Sequence, residues 1–252
     1  MARAAVPRRL SWLPARLTAR RTETPSARTL VLDVPGWKGH VAGQHLDVRL
    51  TAPDGYQAER SYSLASDPAD PRVAITIQKV PDGEVSPYLF DGLREGDSIE
   101  IRGPVGGYFT WDPSPGGPVQ LIAGGSGVVP LACMLRHHVR TEAQGEARLL
   151  YSARTMADVI YSHDLQHHLN PHRYVSVDIT LTREEPTSWT GLTGRVDADM
   201  LTATTLPPHE DLRTYVCGPT PFVETVANLL IDLGHDPTSI RTERFGPTGG
   251  SS

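Results

Sequence analysis

The sequence predicts a two-domain chain of mixed class, an antiparallel six-stranded β-barrel followed by an α/β domain with a parallel sheet. Three observations carry that expectation. The first half is a series of short β-like segments divided by turn signals, and the second half alternates strand and helix patterns. Between them lies a proline- and glycine-rich stretch, Trp111-Asp112-Pro113-Ser114-Pro115-Gly116-Gly117-Pro118. With 252 residues, each half is long enough to bury its own core at ~100–200 residues per domain. The boundary is placed at the start of that stretch, giving a barrel over 1–112 and an α/β domain over 113–252.

The barrel strands are expected in ARLTARR (a strand around Leu10–Arg20), RTLVLDV, HLDVRLT, RSYSLAS, RVAITIQKV and DSIEIRGP. Pro35-Gly36, Pro53-Asp54-Gly55, Asp67-Pro68, Pro81-Asp82-Gly83 and Glu95-Gly96-Asp97 supply turns between them, and Ser86–Leu93 reads as one short helix. In the second half VQLIA (119–123) is a continuous apolar run, as a strand buried on both faces requires. A helical pattern follows, with Leu131, Met134 and Leu135 on one face. Strand ARLLYSA (147–153), helical VIYSHDLQHHL (159–169) and strands YVSVDITLT (174–182) and TYVCGP (214–219) come next. Phe222, Val223, Val226, Leu229, Leu230 and Leu233 then keep a helical period, with Thr220 as N-cap, Pro221 at the first helical position and Gly234 as the stop. Strand SIRTERF closes the series.

Composition narrows the function. A net charge of −5, from 24 basic and 29 acidic side chains, leaves no overall electrostatic footprint for nucleic acid. Two cysteines, Cys133 and Cys217, cannot hold an iron–sulfur cluster that needs four thiolates, and no apolar run reaches the ~20 residues of a membrane helix. The arginine-rich start, MARAAVPRRLSWLPARLTARR, lacks the apolar core of a secretory signal and reads as a frayed tail leading into the first strand. A monomeric cytoplasmic protein is the expectation.

Three motifs carry chemistry. ERSYSLAS (59–66) gathers a cation, an aromatic ring and a hydroxyl, Arg60, Tyr62 and Ser63, in a strand-like run, which suits an anionic, aromatic ligand. Gly124-Gly125-Ser126-Gly127-Val128-Val129-Pro130 lies between a buried strand and a helix, where glycines admit a ligand to the backbone and free N–H groups attract a pyrophosphate. Cys217-Gly218-Pro219 ends another strand, and ligands of open parallel sheets bind at strand carboxyl ends. Cys133, inside the helical pattern, reads as core. His163, His167, His168 and His172 include an i, i+4 pair but no accompanying carboxylate motif, so they read as a solvated helix face and no metal is expected. There is no G-x-S-x-G elbow for hydrolysis.

RSYS (60–63), DGEVSPYL (82–89), GPVGGYF (103–109), GGSGVVP (124–130), YVCGP (215–219) and ERFG (243–246) occur in the order seen in the ferredoxin–NADP reductase family, which the chain resembles from about residue 12 to 246. The resemblance implies a flavin-binding barrel and a Rossmann-like NAD(P)-binding domain. It further implies that hydride passes from NAD(P)H to bound flavin, and electrons onward to a separate acceptor protein: a ferredoxin, a flavodoxin or a redox enzyme subunit.

The same resemblance assigns roles. Arg60 would pair with the flavin pyrophosphate, Tyr62 would lie against the isoalloxazine or ribityl chain, and Ser63 would hydrogen-bond flavin N5. Gly83, Val85 and Ser86 would face the pyrophosphate. Nicotinamide would enter between Ser63 and Cys217, with Gly124, Gly125, Ser126 and Gly127 near its own pyrophosphate. Arg154, Arg183 and Arg195 would meet a 2′-phosphate, favouring NADPH over NADH, and FAD is expected over FMN. Phe245 would cover the flavin, or else pack the last strand, with Glu243 nearby as a proton donor. Two other readings remain open at this level: a reductase that releases flavin as a product, and a non-catalytic flavin-binding subunit.

Overall fold

The computed structural model describes residues 10–184 and 186–246. The arginine-rich segment 1–9, noted above, residue 185 and the tail 247–252 lie outside the described residues.

Six strands make the first sheet: β1 (Leu13–Thr22), β2 (Ala27–Asp33), β3 (His45–Thr51), β4 (Gln57–Ser63), β5 (Val73–Gln78) and β6 (Ser98–Val105). Their order is β4-β3-β6-β1-β2-β5, and every pair is antiparallel. The two outer strands meet only at their ends, where Leu64 bridges Ile75 and the Ala65 N–H donates to Ala74 O at 2.7 Å. The sheet thus closes into a barrel at one rim and leaves β4 with a free edge along most of its length. Alternation fills the interior. Leu46 and Val48 of β3 are fully buried between the polar neighbours His45, Asp47 and Arg49, and Leu17, Leu30, Ile75 and Ile101 join them. A single wide helical turn, Tyr88–Gly92, plugs the barrel floor with Leu89, and Leu93 follows just beyond it.

The second sheet is wholly parallel, in the order β10-β9-β8-β7-β11-β12. Its strands are β7 (Val119–Gly124), β8 (Ala147–Thr155), β9 (Val175–Glu184), β10 (Leu192–Thr193), β11 (Arg213–Pro219) and β12 (Ile240–Phe245). Four α-helices accompany it: α1 (Val128–Arg140), α2 (Ser162–Asp164, continued by a wider turn over Leu165–Leu169), α3 (Ala198–Thr204) and α4 (Thr220–Asp232). β7 is buried along its whole length, as a central parallel strand must be. From β7 the chain winds outward through β8 and β9, then returns to the other side through β11 and β12. The order therefore reverses between β7 and β11, where a crevice opens at the strand carboxyl ends.

Local differences from the sequence reading have simple causes. The first strand runs Leu13–Thr22, because pairing with β6 begins at Leu13 and pairing with β2 carries it past Arg20 to Thr22. RSYSLAS is cut at Ser63, since Leu64 already belongs to the closing bridge. The helix expected from residue 159 starts at Ser162, because Tyr161 takes a left-handed backbone (φ 61°). Thr220 is the first residue of α4, with Pro219 as its cap and no side-chain cap bond, so Pro221 is one position further in than expected. Gly234 does end the helix, at φ 90°.

Two seams join the sheets. On one side Tyr215 Oη and Arg241 Nη1 both donate to Thr110 O, at 2.7 and 2.8 Å. On the other, Tyr161 Oη hydrogen-bonds Thr76 Oγ1, which meets Thr29 Oγ1 at 2.8 Å, and Arg136 Nη1 donates to Ala65 O at 2.7 Å.

Candidate active site

β4 runs along the free edge of the barrel, and its alternation splits the predicted residues between two faces. Arg60 and Tyr62 point one way and Ser63 the other. A flat ligand along this edge would meet side chains from both faces at once. The Ser63 hydroxyl is buried and has no hydrogen-bond partner among the described residues. An unsatisfied buried hydroxyl costs about 1–3 kcal/mol, so one here marks a place where a ligand completes the structure.

Arg60 lies on the surface. Its guanidinium donates to Glu59 O at 2.7 Å and meets Glu84 Oε2 at 3.4 Å. Glu84 also accepts from Tyr56 Oη at 3.0 Å, and it stands in the loop that carries Gly83, Val85 and Ser86. That loop is folded on itself: the Gly83 N–H donates to Val80 O at 3.0 Å, and Ser86 Oγ accepts from the Val80 N–H at 3.0 Å. The Val85 side chain is in the barrel core. Burial pushes the Tyr62 phenol well above its usual range, opposed by the charge of Arg60, so the ring is neutral.

Across the crevice, β7 ends in Gly124, and Gly125–Gly127 form a tight turn into α1. Gly125 has φ 55° and no atom within 4 Å of where a Cβ would stand, so its backbone faces open space. Gly127 is the opposite case: a Cβ there would lie 2.1 Å from Cys217 O. Main chain packs on main chain at this point, which locks the loop of Ser126 against the end of β11.

Cys217 is fully buried and stands opposite Glu243 in the β11–β12 pairing, with its Sγ 3.9 Å from Oε2. Burial first, then the neighbouring carboxylate, pushes its thiol well above the normal range. Glu243 is pushed up to about 7, chiefly by burial, and the Cys217 hydrogen bond opposes the shift. Its other oxygen lies 3.9 Å from His45 Nδ1 of β3, in the barrel. His45 is the register partner of Ser63. Side chains directly opposite in an antiparallel pair share a face, so His45 and Ser63 stand together, and His45 meets Glu243. Burial holds the His45 imidazole below its usual value, against the pull of Asp47, so the ring is neutral near pH 7.

The structure therefore pairs Glu243 with Cys217 and links them to Ser63 through His45, which the sequence reading did not identify. Phe245 is half-buried, opposite Pro219, and packs on the core cluster that contains Cys217. Arg154, Arg183 and Arg195 are exposed near the carboxyl ends of the neighbouring strands β8, β9 and β10. Arg154 meets Asp158 at 3.3 Å, so its guanidinium is shared with an acid. Cys133 is core, with its Sγ–H donating to Ser66 O at 3.0 Å.

A free-edged barrel and a parallel sheet that meet at such a crevice define a two-domain flavin and nicotinamide oxidoreductase scaffold. Sequence models of an oxidoreductase FAD-binding domain and an oxidoreductase NAD-binding domain match residues 14–110 and 121–228. Over 243 residues the chain is 33% identical to ferredoxin–NADP reductase B of Sorangium cellulosum, covering 92% of this chain and 96% of that one. It is 34% identical to a glycine betaine monooxygenase reductase subunit of Pseudomonas aeruginosa over 82% of its length, but spans only 56% of that relative. The crystal structure of an Amycolatopsis cytochrome P450 reductase superposes with a TM-score of 0.82 at 26% identity, covering 95% of this chain and 71% of the other. The chain belongs to the ferredoxin–NADP reductase family.

Proposed function

We propose that the chain is an NAD(P)H-dependent flavoprotein reductase that delivers electrons to a separate acceptor protein, a ferredoxin, a flavodoxin or a redox enzyme subunit. Residues 1–112 hold FAD and residues 113–252 hold the nucleotide. The observation that carries this reading is the partnerless, buried Ser63 hydroxyl, set in register with His45, which in turn meets Glu243 beside Cys217. FAD, when bound, takes a hydride from the nicotinamide and releases the electrons singly or in pairs.

The protein's own groups bind, orient and hold protons. Ser63 supplies the hydrogen bond at flavin N5 that no protein group now satisfies. Arg60 turns from Glu84 to the flavin pyrophosphate, where a planar multi-donor cation is worth more than in an exposed ion pair. Tyr62 lines the ring, and Ser86, whose oxygen accepts one bond, keeps its proton to donate to the phosphates. Cys217, held as a neutral thiol, acts as a contact surface for the nicotinamide and not as a nucleophile. Glu243 exchanges a proton near neutrality, and His45 lies between it and the Ser63 strand. Phe245 covers the mouth of the crevice. Gly124, Gly125, Ser126 and Gly127 take the nucleotide pyrophosphate at the start of α1. Arg154, Arg183 and Arg195, on adjoining strand ends, favour the extra phosphate of NADPH.

Anaerobic mixing of the FAD-loaded chain with each nucleotide tests the reading. NADPH should remove the visible flavin absorbance faster than NADH. If neither does so, the chain is a binding subunit and the proposal fails. Flavin lost on gel filtration would instead favour a reductase that releases its flavin.

A further inference from the structure

One half-buried guanidinium connects the two halves of the crevice from behind. Arg136 projects from α1, the helix that begins directly after the Gly124–Gly127 turn. It donates from Nη1 to Ala65 O at 2.7 Å, and from Nε and Nη2 to Asp164 Oδ2 at 2.9 and 2.6 Å. Its guanidinium carbon also lies 4.3 Å from the centre of the Tyr161 ring. Ala65 is two residues beyond Ser63 on the same extended segment. Tyr161 Oη continues the connection into the barrel through Thr76, Thr29 and Glu23, with the Thr29–Thr76 and Thr29–Glu23 bonds at 2.8 and 2.7 Å.

We propose that Arg136 is a positioning residue which fixes the Ser63 strand end relative to the nucleotide loop, and so sets the gap across which hydride must travel. This inference rests on the proposed function. The mechanical path is short. Gly127 is packed on the Cys217–Gly218 main chain too closely to admit a Cβ, so the start of α1 cannot shift against the nicotinamide side. From Val128 to Arg136 the helix is a rigid rod of about 12 Å. Arg136 then holds the carbonyl two residues past Ser63.

Other side chains of the same helical stripe reach the same segment: Cys133 to Ser66 O, and His137 and Arg140 to the Asp67 carboxylate at 3.4 and 3.8 Å. Of these four, Arg136 alone holds both the Ala65 main chain and a carboxylate of a third element. Apolar packing also crosses this seam, since Ala27, Ala42 and Ala65 share one buried cluster with Cys133, Met134 and Tyr161, but a cavity of about 780 Å³ opens beside it, and Arg136 and Asp164 line its wall. Barrel bonds hold Ser63 within its own sheet, and the Arg136 junction ties the segment that follows it to α1.

The test uses the full chain, with and without FAD, as Arg136→Lys. A lysine keeps the charge opposite Asp164 but lacks the planar fork that also reaches Ala65 O and covers Tyr161. We expect amide hydrogen exchange in the segment 64–67 to accelerate about 10-fold or more, with β7 protection unchanged. Anaerobic stopped-flow should show hydride transfer slowed ~10- to 100-fold, since about 1 Å of misplacement can cost 10²-fold, while nucleotide affinity stays within about twofold. Asp164→Asn should give the same split in milder form, and it serves if the lysine variant does not fold. Hydride transfer within about twofold of wild type, or a rate loss matched by an equal loss of affinity, overturns the proposal. So does failure of both variants to fold, which would make Arg136 a folding residue. If the wild type itself is not reduced by either nucleotide, the functional reading fails first, and the exchange measurement still reports whether Arg136 fixes the segment.

Discussion

Cys217 and Glu243 stand opposite each other at the carboxyl ends of two parallel strands, their side chains in contact at 3.9 Å from Sγ to Oε2. The pairing makes the floor of the crevice a place where charge is withheld. The thiol is kept neutral by burial and by the carboxylate beside it, and the carboxylate is itself pushed up to about 7. A neutral thiol next to a titrating carboxyl suits the nicotinamide contact proposed above.

Glu243 should make stability depend on pH. Its folded value of about 7 lies above the ~4.3 of an unfolded glutamate, so the native chain binds more protons than the unfolded chain between those values. Stability contributed by the protonated form is complete below roughly pH 4.3 and is lost as pH rises through about 7. Glu243→Gln should therefore be more stable than wild type near pH 8, by up to about 3 kcal/mol, with little difference near pH 4. Urea unfolding at the two pH values checks this; a constant difference across the range would mean that the carboxyl titrates normally.

The Ser63 hydroxyl gives a prediction with opposite signs in the two states. In the flavin-free chain it is an unpaired buried polar group, so Ser63→Ala should leave thermal stability unchanged or raise it by about 1 kcal/mol. In the FAD-loaded chain the same change would remove the proposed bond to N5, and reduction by NADPH should slow about 10-fold or more. Equal destabilisation of both forms would show that the hydroxyl serves the fold alone.

How much of this was legible in the sequence depends on the range of the interaction involved. VQLIA, the Gly124–Gly127 turn and the apolar face of α4 are local patterns, and they announced a buried strand, a tight strand–helix turn and a helix with small errors at the ends. β10 was missed because two residues, Leu192–Thr193, are too few to show a period. α3 was missed too, although Asp197 at its start accepts from the Met200 N–H at 2.8 Å and could have been read as a cap. His45 escaped for a different reason. Its strand was identified, but only the β3–β4 register places it against Ser63, and register is a tertiary fact. Arg136 and Tyr161 are likewise silent in sequence, because what they join is more than 70 residues away in Ala65 and 85 residues away in Thr76.

Arg60 and Glu84 form an exposed pair, with side chains 56% and 52% accessible, of a kind that contributes ~0–1 kcal/mol. Arg60→Ala should thus leave the flavin-free fold intact while weakening FAD binding about 10- to 100-fold through loss of the proposed pyrophosphate contact. Glu84→Gln should act the other way. It frees Arg60 from a competing anion and removes a like charge from the phosphate site, so FAD should bind a few-fold more tightly. Fluorescence titration of flavin-free protein reads both; a weaker Glu84→Gln complex would mean that Glu84 orients Arg60 and does not compete for it.

Gly125 and Gly127, two residues apart, should respond differently to the same substitution. At Gly125 an alanine meets no atom within 4 Å and suffers only the left-handed backbone at φ 55°, a cost of about 1 kcal/mol. At Gly127 the backbone is ordinary helix, but the new Cβ would stand 2.1 Å from Cys217 O and 2.7 Å from Gly218 N. Neither neighbour is a flexible side chain, so β11 and α1 must separate, and overpacking of this kind costs ~1–3 kcal/mol or more. Gly127→Ala should accordingly lower Tm more than Gly125→Ala and widen the crevice on the nicotinamide side. Its loss of NADPH-dependent reduction should exceed what its loss of stability explains. Gly125→Ala, by contrast, places a methyl group in the open space assigned to the nucleotide pyrophosphate, so it should raise KM for NADPH with the fold nearly unchanged. Two alanines with identical effects on Tm and KM would contradict both the packing at Gly127 and the open face at Gly125.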